Sequence, residues 1–379
     1  MKRILYVSTV SSTINSFLVP HIKDLIQNGN LVDCAANLDY ELNIDIDKDL
    51  HDIGVRFFQL SFSRSPFDAE NIKAFKKLIK IQEENKYDIV HLHTPIASAY
   101  GRLLKLKFPN LRIIYTAHGF HFFKGAPLIN WMVYYPIEKF MARYTDDIIT
   151  MNSEDYERAK RLNFKNVYKL NGVGVDLEKY SQNNFDNNYI RKKLGLKETD
   201  FVILMIAEVN KNKNHKQMID AIEILKNKGI KNIKVICAGD GDIFDKTCSY
   251  IKEKKLENNI KMLGFRTDVN ELIVACDIGI LMSYREGLPR NIMELMACGK
   301  PIIGTNIRGI RDLVENEVNG YLVGLNDIND TANAIERLYL DKKIYKIMSG
   351  NCKVKIKNFS IEKVLRDLSN INNLEREEL

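Results

Sequence analysis

Short apolar runs, rich in β-branched residues, alternate along the chain with longer segments in which apolar and polar residues recur at helical spacing. This alternation is typical of β-α units around a parallel sheet. In the first half, seven runs predict strands at residues 3–8, 31–36, 55–62, 88–93, 112–118, 146–152 and 166–171. In the second half, six runs predict strands at residues 201–209, 233–239, 260–265, 277–283, 300–305 and 320–324. The pattern therefore predicts two doubly wound α/β sheets, one in each half.

A polar, Asn-rich stretch, residues 171–188, separates the two series of strands. A chain of 379 residues is too long for one typical core, so we interpret this stretch as a linker between two domains. We expect an N-terminal Rossmann-like domain over residues 1–175 and a second one over residues 176–358. We expect residues 359–379 to include a helix that packs back on the first domain.

Composition excludes several classes of protein. With 45% hydrophobic and 28% charged residues, the chain is neither disordered nor fibrous. No apolar run is long enough to span a bilayer, and the N-terminus, MKRILYVSTV, lacks a signal-peptidase site and is better interpreted as a buried strand. The six cysteines show neither C-x-x-C nor zinc-ligand spacing, so we expect a reduced, cytoplasmic protein.

The net charge of +7 is concentrated in residues 101–170, which carry 12 Lys and Arg against 6 Asp and Glu. Such an excess favours anionic lipid, nucleic acid or phosphorylated substrates as partners, or it forms a solvated face. The same block contains FHFFKGAPLINWMVYYPIEKF, residues 120–140, with the single tryptophan, Trp131. This stretch is either a buried helix or a surface that meets a membrane. No aromatic-basic recognition motif accompanies it, so we expect no nucleic-acid partner.

Ligands of open parallel sheets bind outside the carboxyl ends of the strands. Two carboxylates stand at such a position in REGLPRNIMELMACG, residues 285–299. Pro289 favours the first turn of a helix and Gly299 its end, so Glu286 lies on a loop and Glu294 in the second helical turn. Paired acceptors of this kind suit the hydroxyls of a sugar or a ribose, and the helix N-terminus between them suits phosphate. The alternative is two solvated surface carboxylates.

The surrounding residues decide between these interpretations. The order E-x7-E, MACG, KPIIGTNIRGIRDLV and NGYLV resembles the C-terminal half of retaining, nucleotide-sugar-dependent glycosyltransferases of family 4. The resemblance includes IAEVNKNKNHKQMIDAI, VICAGDGD and LGFRTDVNELIVACDIGILMS, and so extends over most of residues 200–325. In the first half, YTAHGFHFFKGAPLINW is similar to the acceptor-side domain of members that build capsule and exopolysaccharide repeat units. The resemblance implies the GT-B fold, in which two Rossmann-like domains face each other across a cleft.

The resemblance also implies roles for individual residues. Glu294 would bind the ribose hydroxyls of the donor, and Glu286 a hydroxyl of its sugar. Lys213 would neutralise the leaving diphosphate, and His118 would lie beside the sugar. Further donor contacts are implied for Gly287, Leu288, Arg290, Gly239, Ser12, Thr13 and the main chain around Arg266. Acceptor-side contacts are implied for His93, His121 and Lys124.

The chain departs from the family at three places. Glu208 stands five positions before Lys213, where many members carry an arginine, so Lys211, Arg285 or Arg290 would have to replace that cation. The usual E-G-F-G-L is E-G-L-P-R here, and Pro289 removes one backbone donor. The first loop reads VSSTIN and lacks the common paired glycines, so Ser12 and Thr13 offer hydroxyls where other members bring their backbone close.

Metal and cofactor chemistry find little support in the sequence. We expect His91 and His93 to face opposite sides of their strand, which argues against a shared metal ion. The aspartates of AGDGD are interpreted as turn residues in a glycine turn, and no D-x-D motif follows a strand in a convincing setting for a metal site. No G-x-G-x-x-G follows the first strand of either half, which argues against a dinucleotide-dependent dehydrogenase. We therefore expect neither a metal nor a cofactor.

The sequence thus predicts a retaining glycosyltransferase that moves a sugar of the N-acetylhexosamine type from a UDP-sugar to an undecaprenyl-diphosphate-linked saccharide in capsule or exopolysaccharide assembly. We expect it to bind an anionic membrane surface peripherally on the cytoplasmic side. Trp131 or its neighbours would insert there, and basic residues of the charged block would attract the lipid: Arg102, Lys105, Lys107, Lys139 and Arg143. Two alternatives stay open, a UDP-sugar epimerase of the same architecture and a non-catalytic sugar-nucleotide-binding subunit. The sequence does not decide the oligomeric state.

Overall fold

The computed structural model of the chain describes residues 1–39, 48–65, 68–180 and 186–373. Part of the predicted linker, residues 181–185, and the end of the predicted C-terminal segment, residues 374–379, lie outside the described residues.

The chain forms two compact units. Unit 1 comprises Met1–Val173 together with the chain from Glu362 onward, and unit 2 comprises Gly174–Ile361. The chain therefore passes between the units twice, once at 173/174 and once at 361/362. Unit 2 is contiguous in sequence, whereas unit 1 is not.

Each unit contains one sheet of parallel strands. In unit 1 the strands are β1 Arg3–Val10, β2 Leu31–Asn37, β3 Phe57–Gln59, β4 Ile89–His93, β5 Arg112–Ala117, β6 Asp147–Thr150 and β7 Asn166–Lys169. In unit 2 they are β8 Phe201–Ile206, β9 Ile233–Ala238, β10 Ile260–Met262, β11 Ile278–Leu281, β12 Ile302–Thr305 and β13 Gly320–Val323. Every apolar run predicted as a strand overlaps one of these, so the prediction of two α/β sheets is confirmed.

The strand orders are β3-β2-β1-β4-β5-β6-β7 and β10-β9-β8-β11-β12-β13. In both sheets the chain first builds to one side of its first strand and then to the other. The direction therefore changes between β1 and β4 in unit 1 and between β8 and β11 in unit 2. In doubly wound sheets the ligand crevice opens at such a switch point, beyond the carboxyl ends of the strands.

The helices cover both faces of the sheets. Those of unit 1 are α1 Ser11–Thr13, α2 Val19–Gln27, α3 Lys48–Asp52, α4 Glu70–Asn85, α5 Pro95–Arg102, α6 Leu104–Lys107, α7 Leu128–Met141 and α8 Ser153–Lys160, with a π-helical turn at Ile14–Leu18 and a 3-10 turn at Ala142–Tyr144. Those of unit 2 are α9 Asn187–Lys193, α10 His215–Asn227, α11 Phe244–Glu253, α12 Val269–Ala275, α13 Arg290–Ala297, α14 Ile310–Leu313, α15 Ile328–Leu340 and α16 Lys342–Ile356, with 3-10 turns at Lys211–Lys213 and Lys357–Phe359. The final helix, α17 Ile361–Asn373, returns the chain to unit 1. Of the helices in these ranges, none is both long and apolar enough to pass through a bilayer.

Because both faces of each sheet are buried, its strands appear in the sequence as continuous apolar runs. All residues of β4 and β5 are buried, as are all residues of β11 and β12. A parallel sheet covered by helices on both sides has no solvated face, so its strands lack the alternation of a half-exposed strand.

The C-terminal helix α17 is tied to unit 1 at its end. Val364, Leu368 and Ile371 are buried along it. The Arg112 guanidinium donates hydrogen bonds to the carbonyl oxygens of Asn372 (3.0 Å) and Ile371 (2.8 Å). A cation at this position satisfies carbonyls that a helix end leaves unpaired and complements the helix dipole.

Candidate functional site

The candidate residues fall into two groups, one in each unit, and both groups lie at the carboxyl ends of strands. In unit 2 they follow β8, β9, β10 and β11, and in unit 1 they follow β1, β4 and β5. Both positions flank the switch points of the sheets.

In unit 2, the loop after β8 places Lys213 beside Glu286. The Asn210 side chain accepts a hydrogen bond from the Lys213 backbone N–H at 3.1 Å, which closes the 3-10 turn. The Tyr284 N–H donates to the Asn212 carbonyl at 2.9 Å and so ties this turn to the loop after β11. As a result, the Lys213 ammonium lies 2.7 Å from the Glu286 carboxylate.

The Lys213–Glu286 ion pair is largely shielded from solvent, with side-chain exposures of 20% and 11%. A neighbouring loop approaches it closely at Gly309. A Cβ atom on Gly309 would come within 2.2 Å of the Gly287 carbonyl oxygen, and the φ of 75° is unfavourable for other residues. The glycine therefore allows the loop after β12 to pack against the Glu286 loop.

Glu294 projects from the second turn of α13, and its carboxylate is buried. The Tyr180 hydroxyl donates a hydrogen bond to Glu294 Oε1 at 2.7 Å, and Arg290 Nε lies 3.0 Å from the same oxygen. Burial raises the pKa of Glu294, whereas Arg290 and the Tyr180 hydroxyl act to lower it. Glu286 and Glu294 are thus both carboxylates held by a cation within the same unit.

The ends of β9 and β10 lie against this region. The Gly239 N–H donates to the Gly264 carbonyl at 2.8 Å. Gly239 has a φ of 149°, and a Cβ atom there would lie 1.9 Å from the Ala207 carbonyl oxygen. Arg266 Nε lies 2.7 Å from an oxygen of Asp268, so its guanidinium is engaged within its own loop.

In unit 1, the candidate side chains surround the switch point between β1 and β4. Ser12 and Thr13 lie in α1, directly after β1. His93 ends β4, and His118 follows β5. His93 Nδ1 and His118 Nε2 share a hydrogen bond with 3.0 Å between them, so these two candidates are in direct contact.

The expectation that His91 and His93 face opposite sides of the strand was wrong. Their rings stack with centroids 4.4 Å apart. Side chains alternate along a strand with a period of two, so residues two positions apart share a face. His91 Nε2 is occupied by the Thr116 hydroxyl at 2.7 Å. Within the described ranges, no three His, Cys, Asp or Glu side chains are arranged to hold a metal ion.

These histidines are neutral at physiological pH. Burial lowers the pKa of His91 to about 3 and that of His118 to about 4, and it lowers the pKa of His93 well below its usual value. The nearby imidazoles of His21 and His118 lower the pKa of both His91 and His93 further. His118 is therefore a hydrogen-bonding group rather than a cation.

Comparison with known proteins agrees with this geometry. The family model described as "Glycosyl transferase 4-like" matches residues 3–153, and "Glycosyl transferases group 1" matches residues 186–354. EpsD of Bacillus subtilis (strain 168), a protein named as a glycosyltransferase, is 35% identical over 376 residues, which is 98% of this chain and 96% of EpsD. The chain belongs to glycosyltransferase family 4.

Two further proteins are similar to this glycosyltransferase. The UDP-Gal:alpha-D-GlcNAc-diphosphoundecaprenol alpha-1,3-galactosyltransferase of Escherichia coli is 33% identical over 312 residues, covering 81% of this chain and 80% of that protein. The crystal structure of Anabaena HepE in complex with UDP and glucose has a TM-score of 0.82 at 20% identity, over 99% of this chain and all of the other. This likeness confirms the GT-B fold.

The structure separates the cations that the sequence proposed as replacements for the family arginine. Glu208, which stands in the place of that arginine, is exposed in the loop after β8, as is Lys211, and Arg285 is exposed in the loop after β11. Arg290 alone among the three proposed replacements has an ion pair with Glu294. Which of the three cations replaces the family arginine stays a prediction.

His121 and Lys124 lie in the loop that precedes α7. The His121 ring stacks on Tyr134 with centroids 4.5 Å apart, and its carbonyl accepts a hydrogen bond from Asn130. Lys124 has an exposed side chain, and its backbone N–H donates to Glu154 at 3.1 Å. The structure therefore places both predicted acceptor-side residues next to α7, and their role stays a prediction.

Sequence reasoning missed Tyr180. It belongs to the stretch interpreted as a linker, 114 residues before its partner Glu294. No spacing rule connects positions so far apart. The only signal was an aromatic residue within a polar stretch, and such a residue is far more often part of a core.

Proposed function

We propose that this glycosyltransferase moves a sugar from a UDP-sugar to a saccharide linked to a lipid diphosphate, with retention at the anomeric carbon. The observation that carries the proposal is the pair of carboxylates Glu286 and Glu294, each held by a cation beside the switch point of the unit 2 sheet. The name of the E. coli relative supports this, because it specifies a UDP-sugar donor and a diphosphoundecaprenol acceptor. The UDP and glucose in HepE give further support.

In this proposal each group of unit 2 binds one part of the donor. Glu294 accepts hydrogen bonds from the ribose hydroxyls, and Glu286 accepts one from the sugar, with the backbone N–H groups of Gly287 and Leu288 beside it. The main chain at Gly239 and Arg266 contacts the base. Lys213 and Arg290 offset the negative charge of the diphosphate, which grows as the glycosidic bond breaks.

The proposed reaction proceeds on one face of the sugar. The acceptor hydroxyl oxygen bonds to the anomeric carbon on the side from which the diphosphate departs. The bond between that carbon and the diphosphate oxygen breaks, and the hydroxyl proton passes to a phosphate oxygen of the leaving UDP. Glu286 is engaged by Lys213, which fits a group that positions the sugar better than a free nucleophile.

The acceptor side of the proposal rests on α7. Large apolar side chains are exposed along this helix, at 75% for Leu128 and 66% for Met132, and Phe140 is also exposed. Lys139 and Arg143 are exposed beside them. An apolar surface flanked by cations suits the interface of an anionic bilayer, where a lipid-linked acceptor resides. We therefore propose peripheral attachment on the cytoplasmic face of the membrane.

The test is a turnover screen of purified protein with UDP-sugars and lipid-diphosphate saccharides. We expect UDP and a lengthened lipid-linked glycan to form together, and only when both donor and acceptor are present. The panel pairs UDP-N-acetylhexosamines with UDP-hexoses, because the prediction of an N-acetylhexosamine donor is untested. A sugar-nucleotide isomer formed without any acceptor would identify an epimerase. Tight UDP binding without turnover of any pair would favour a binding subunit.

A further inference from the structure

We infer that Tyr180 is a positioning residue for the donor nucleotide, whose hydroxyl holds the Glu294 carboxylate in the orientation that the ribose hydroxyls require. The inference rests on the proposed function, since it assumes that Glu294 binds the nucleotide. It goes beyond that proposal because it assigns a role to a residue in the stretch between the two strand series.

Two side chains of unit 2 hold the Glu294 carboxylate at one of its oxygens. The Tyr180 hydroxyl donates a hydrogen bond to Oε1 at 2.7 Å, and Arg290 Nε lies 3.0 Å from the same oxygen in an ion pair. The hydrogen bond from Tyr180 and the ion pair with Arg290 together restrict the orientation of the carboxylate. A vicinal diol needs such an acceptor at a defined place, and preorganisation reduces the entropy that binding has to overcome.

Tyr180 is itself held from several directions. It is 5% exposed and packs in the core of unit 2. The Cys298 thiol donates a hydrogen bond to the Tyr180 carbonyl at 2.7 Å, and the Tyr180 N–H donates to the Asp176 carbonyl at 3.3 Å. The backbone of Tyr180 is thus fixed to α13 one turn beyond Glu294. The position of the hydroxyl is therefore determined by the fold and not by the ligand.

The hydroxyl also favours the charged form of Glu294. The titratable and charged groups that face this carboxylate are Arg290 from the same helix, Lys179 and Tyr180 from the preceding segment, and the Cys298 thiol. Burial raises the pKa of Glu294, and the hydrogen bond from Tyr180 opposes that rise. Without the hydroxyl, the carboxylate takes up a proton at a higher pH, and a protonated carboxyl is a weaker acceptor for ribose.

The experiment compares Tyr180→Phe with the wild type by calorimetric titration of UDP between pH 5 and pH 8. The ring is retained, so the core stays filled. We expect UDP affinity to fall about five- to tenfold, as for the loss of one hydrogen bond to a charged group. The acid limb of the affinity profile should move to higher pH, and kcat at saturating donor should change little.

Two further variants separate positioning from general stability. Tyr345→Phe is the matched control, because the Tyr345 hydroxyl donates to the Asp277 carbonyl (3.2 Å) in the same unit without touching Glu294. We expect it to bind UDP as the wild type does, with the same pH profile. In a Glu294→Gln background, the effect of Tyr180→Phe on UDP affinity and on its pH profile should largely disappear, because the two residues act through one contact.

The outcomes distinguish this inference from the function on which it rests. Wild-type protein that binds no UDP overturns the proposed function, and the nucleotide role of Glu294 with it. If the wild type binds UDP and Tyr180→Phe has the same affinity and the same acid limb, the positioning role alone is wrong. A loss of affinity that is just as large in the Glu294→Gln background also contradicts it, because Tyr180 would then act independently of Glu294.

Discussion

At the scale of single residues, the two glutamates of the site differ in their surroundings although only eight positions separate them. Glu286 stands on a loop and has a lysine as its partner, whereas Glu294 is buried on a helix and shares one oxygen between an arginine and a tyrosine. A buried carboxylate whose charge is disfavoured by its environment lowers the stability of the protein that contains it. Such a residue is expected where binding, not folding, determines the sequence.

Lys213→Met should reduce turnover more than it reduces the affinity for UDP-sugar. The negative charge that Lys213 stabilises develops as the bond to the diphosphate breaks. Removing the ammonium group therefore destabilises mainly the transition state. We expect kcat to fall on the order of 100-fold, as for removal of one preorganised electrostatic contact. Lys211→Met is the matched control, since Lys211 lies in the same turn with an exposed side chain. Equal losses in kcat and in affinity, or equal effects of the two variants, would contradict this role.

Glu294→Gln should weaken UDP binding without lowering the stability of the ligand-free protein. Loss of the ionised acceptor is expected to reduce affinity by about 1.5–3 kcal/mol, which titration calorimetry measures. The pKa of Glu294 is higher in the folded protein than in the unfolded chain. The group therefore stabilises the folded protein below its unfolded pKa, where it is protonated, and this stabilisation is lost as the pH rises through the folded pKa. At pH 7 the neutral glutamine removes this penalty, and each 1 kcal/mol gained raises the melting temperature by about 2–4 °C. Unchanged UDP affinity would remove Glu294 from the site.

At the scale of elements, α7 presents two different faces. Its inner side carries Trp131, which contacts Phe122 edge-on (5.6 Å between centroids) and lies beneath the Arg158 guanidinium. Glu138 is also on the inner side, in a bidentate ion pair with Arg102. Insertion of Trp131 into lipid is therefore not what this packing favours. In the proposal, the exposed apolar residues of α7, Leu128, Met132 and Phe140, contact the lipid instead of Trp131.

The same packing corrects the set of cations expected to meet a membrane. Arg102 is 0% exposed in its ion pair with Glu138, and Lys105 is 18% exposed beside Asp146. Neither can reach a lipid surface. Reversing the charge of Arg102 would leave Glu138 buried without a partner, a change expected to cost about 3–5 kcal/mol. A loss of activity in that variant would report unfolding rather than detachment.

Lys139→Glu combined with Arg143→Glu should release the protein from anionic liposomes. Each cation near an anionic surface contributes about 1 kcal/mol, so a double reversal is expected to lower the partition coefficient at least tenfold at low salt. Sedimentation with phosphatidylglycerol vesicles measures this, and added salt should weaken the wild type in the same direction. Activity on a lipid-linked acceptor should fall, while UDP binding, assigned to unit 2, should not.

The matched control is Lys246→Glu with Lys252→Glu on α11 of unit 2, where both lysines are exposed. It makes the same change in net charge at another place. If it detaches the protein to the same degree, net charge rather than the α7 surface governs attachment. Equal binding of the wild type to neutral and anionic vesicles at every salt concentration would eliminate the membrane proposal.

The elements were largely predictable from the sequence, and the contacts between distant residues were not. Parallel strands buried on both faces produce continuous apolar runs, so the local sequence alone indicates where each strand lies. Glu286 and Lys213 were chosen as candidates because strand ends in such sheets are the places where ligands bind. The hydrogen bond of Tyr180 to Glu294 and the ion pair of Arg102 with Glu138 depend on how the chain returns in space, which no local pattern encodes. The error at His91 and His93 was of another kind, because the strand period itself puts both on one face.

At the scale of the whole molecule, the neutral histidines make the stability of unit 1 sensitive to acid. His91 and His118 have folded-state pKa values of about 3 and about 4, against about 6.5 for a histidine in an unfolded chain. For bases with lowered pKa values, stability is complete above the unfolded value and is lost as the pH falls towards the folded ones. Each such group is expected to remove about 1.4 kcal/mol per pH unit within that window.

The melting temperature of unit 1 should therefore fall steeply between pH 6.5 and pH 4.5, which scanning calorimetry can follow. His91→Gln should flatten this dependence, whatever its effect on stability at pH 7. His51→Gln, at an exposed position, is the control and should leave the slope unchanged. A wild-type melting temperature that is constant across this range would show that the buried rings do not stay neutral.

The path of the chain through the two units has a consequence for its synthesis. Unit 2 is one uninterrupted stretch, so all of its contacts become available once Ile361 has left the ribosomal exit tunnel. Unit 1 starts first and finishes last, because α17 and its hydrogen bonds to Arg112 follow the whole of unit 2. During synthesis, Arg112 and the surface of unit 1 that α17 covers therefore stay exposed until unit 2 and then α17 have been made. Nascent chains stalled after unit 2 should therefore expose unit 1, and not unit 2, to proteases and chaperones.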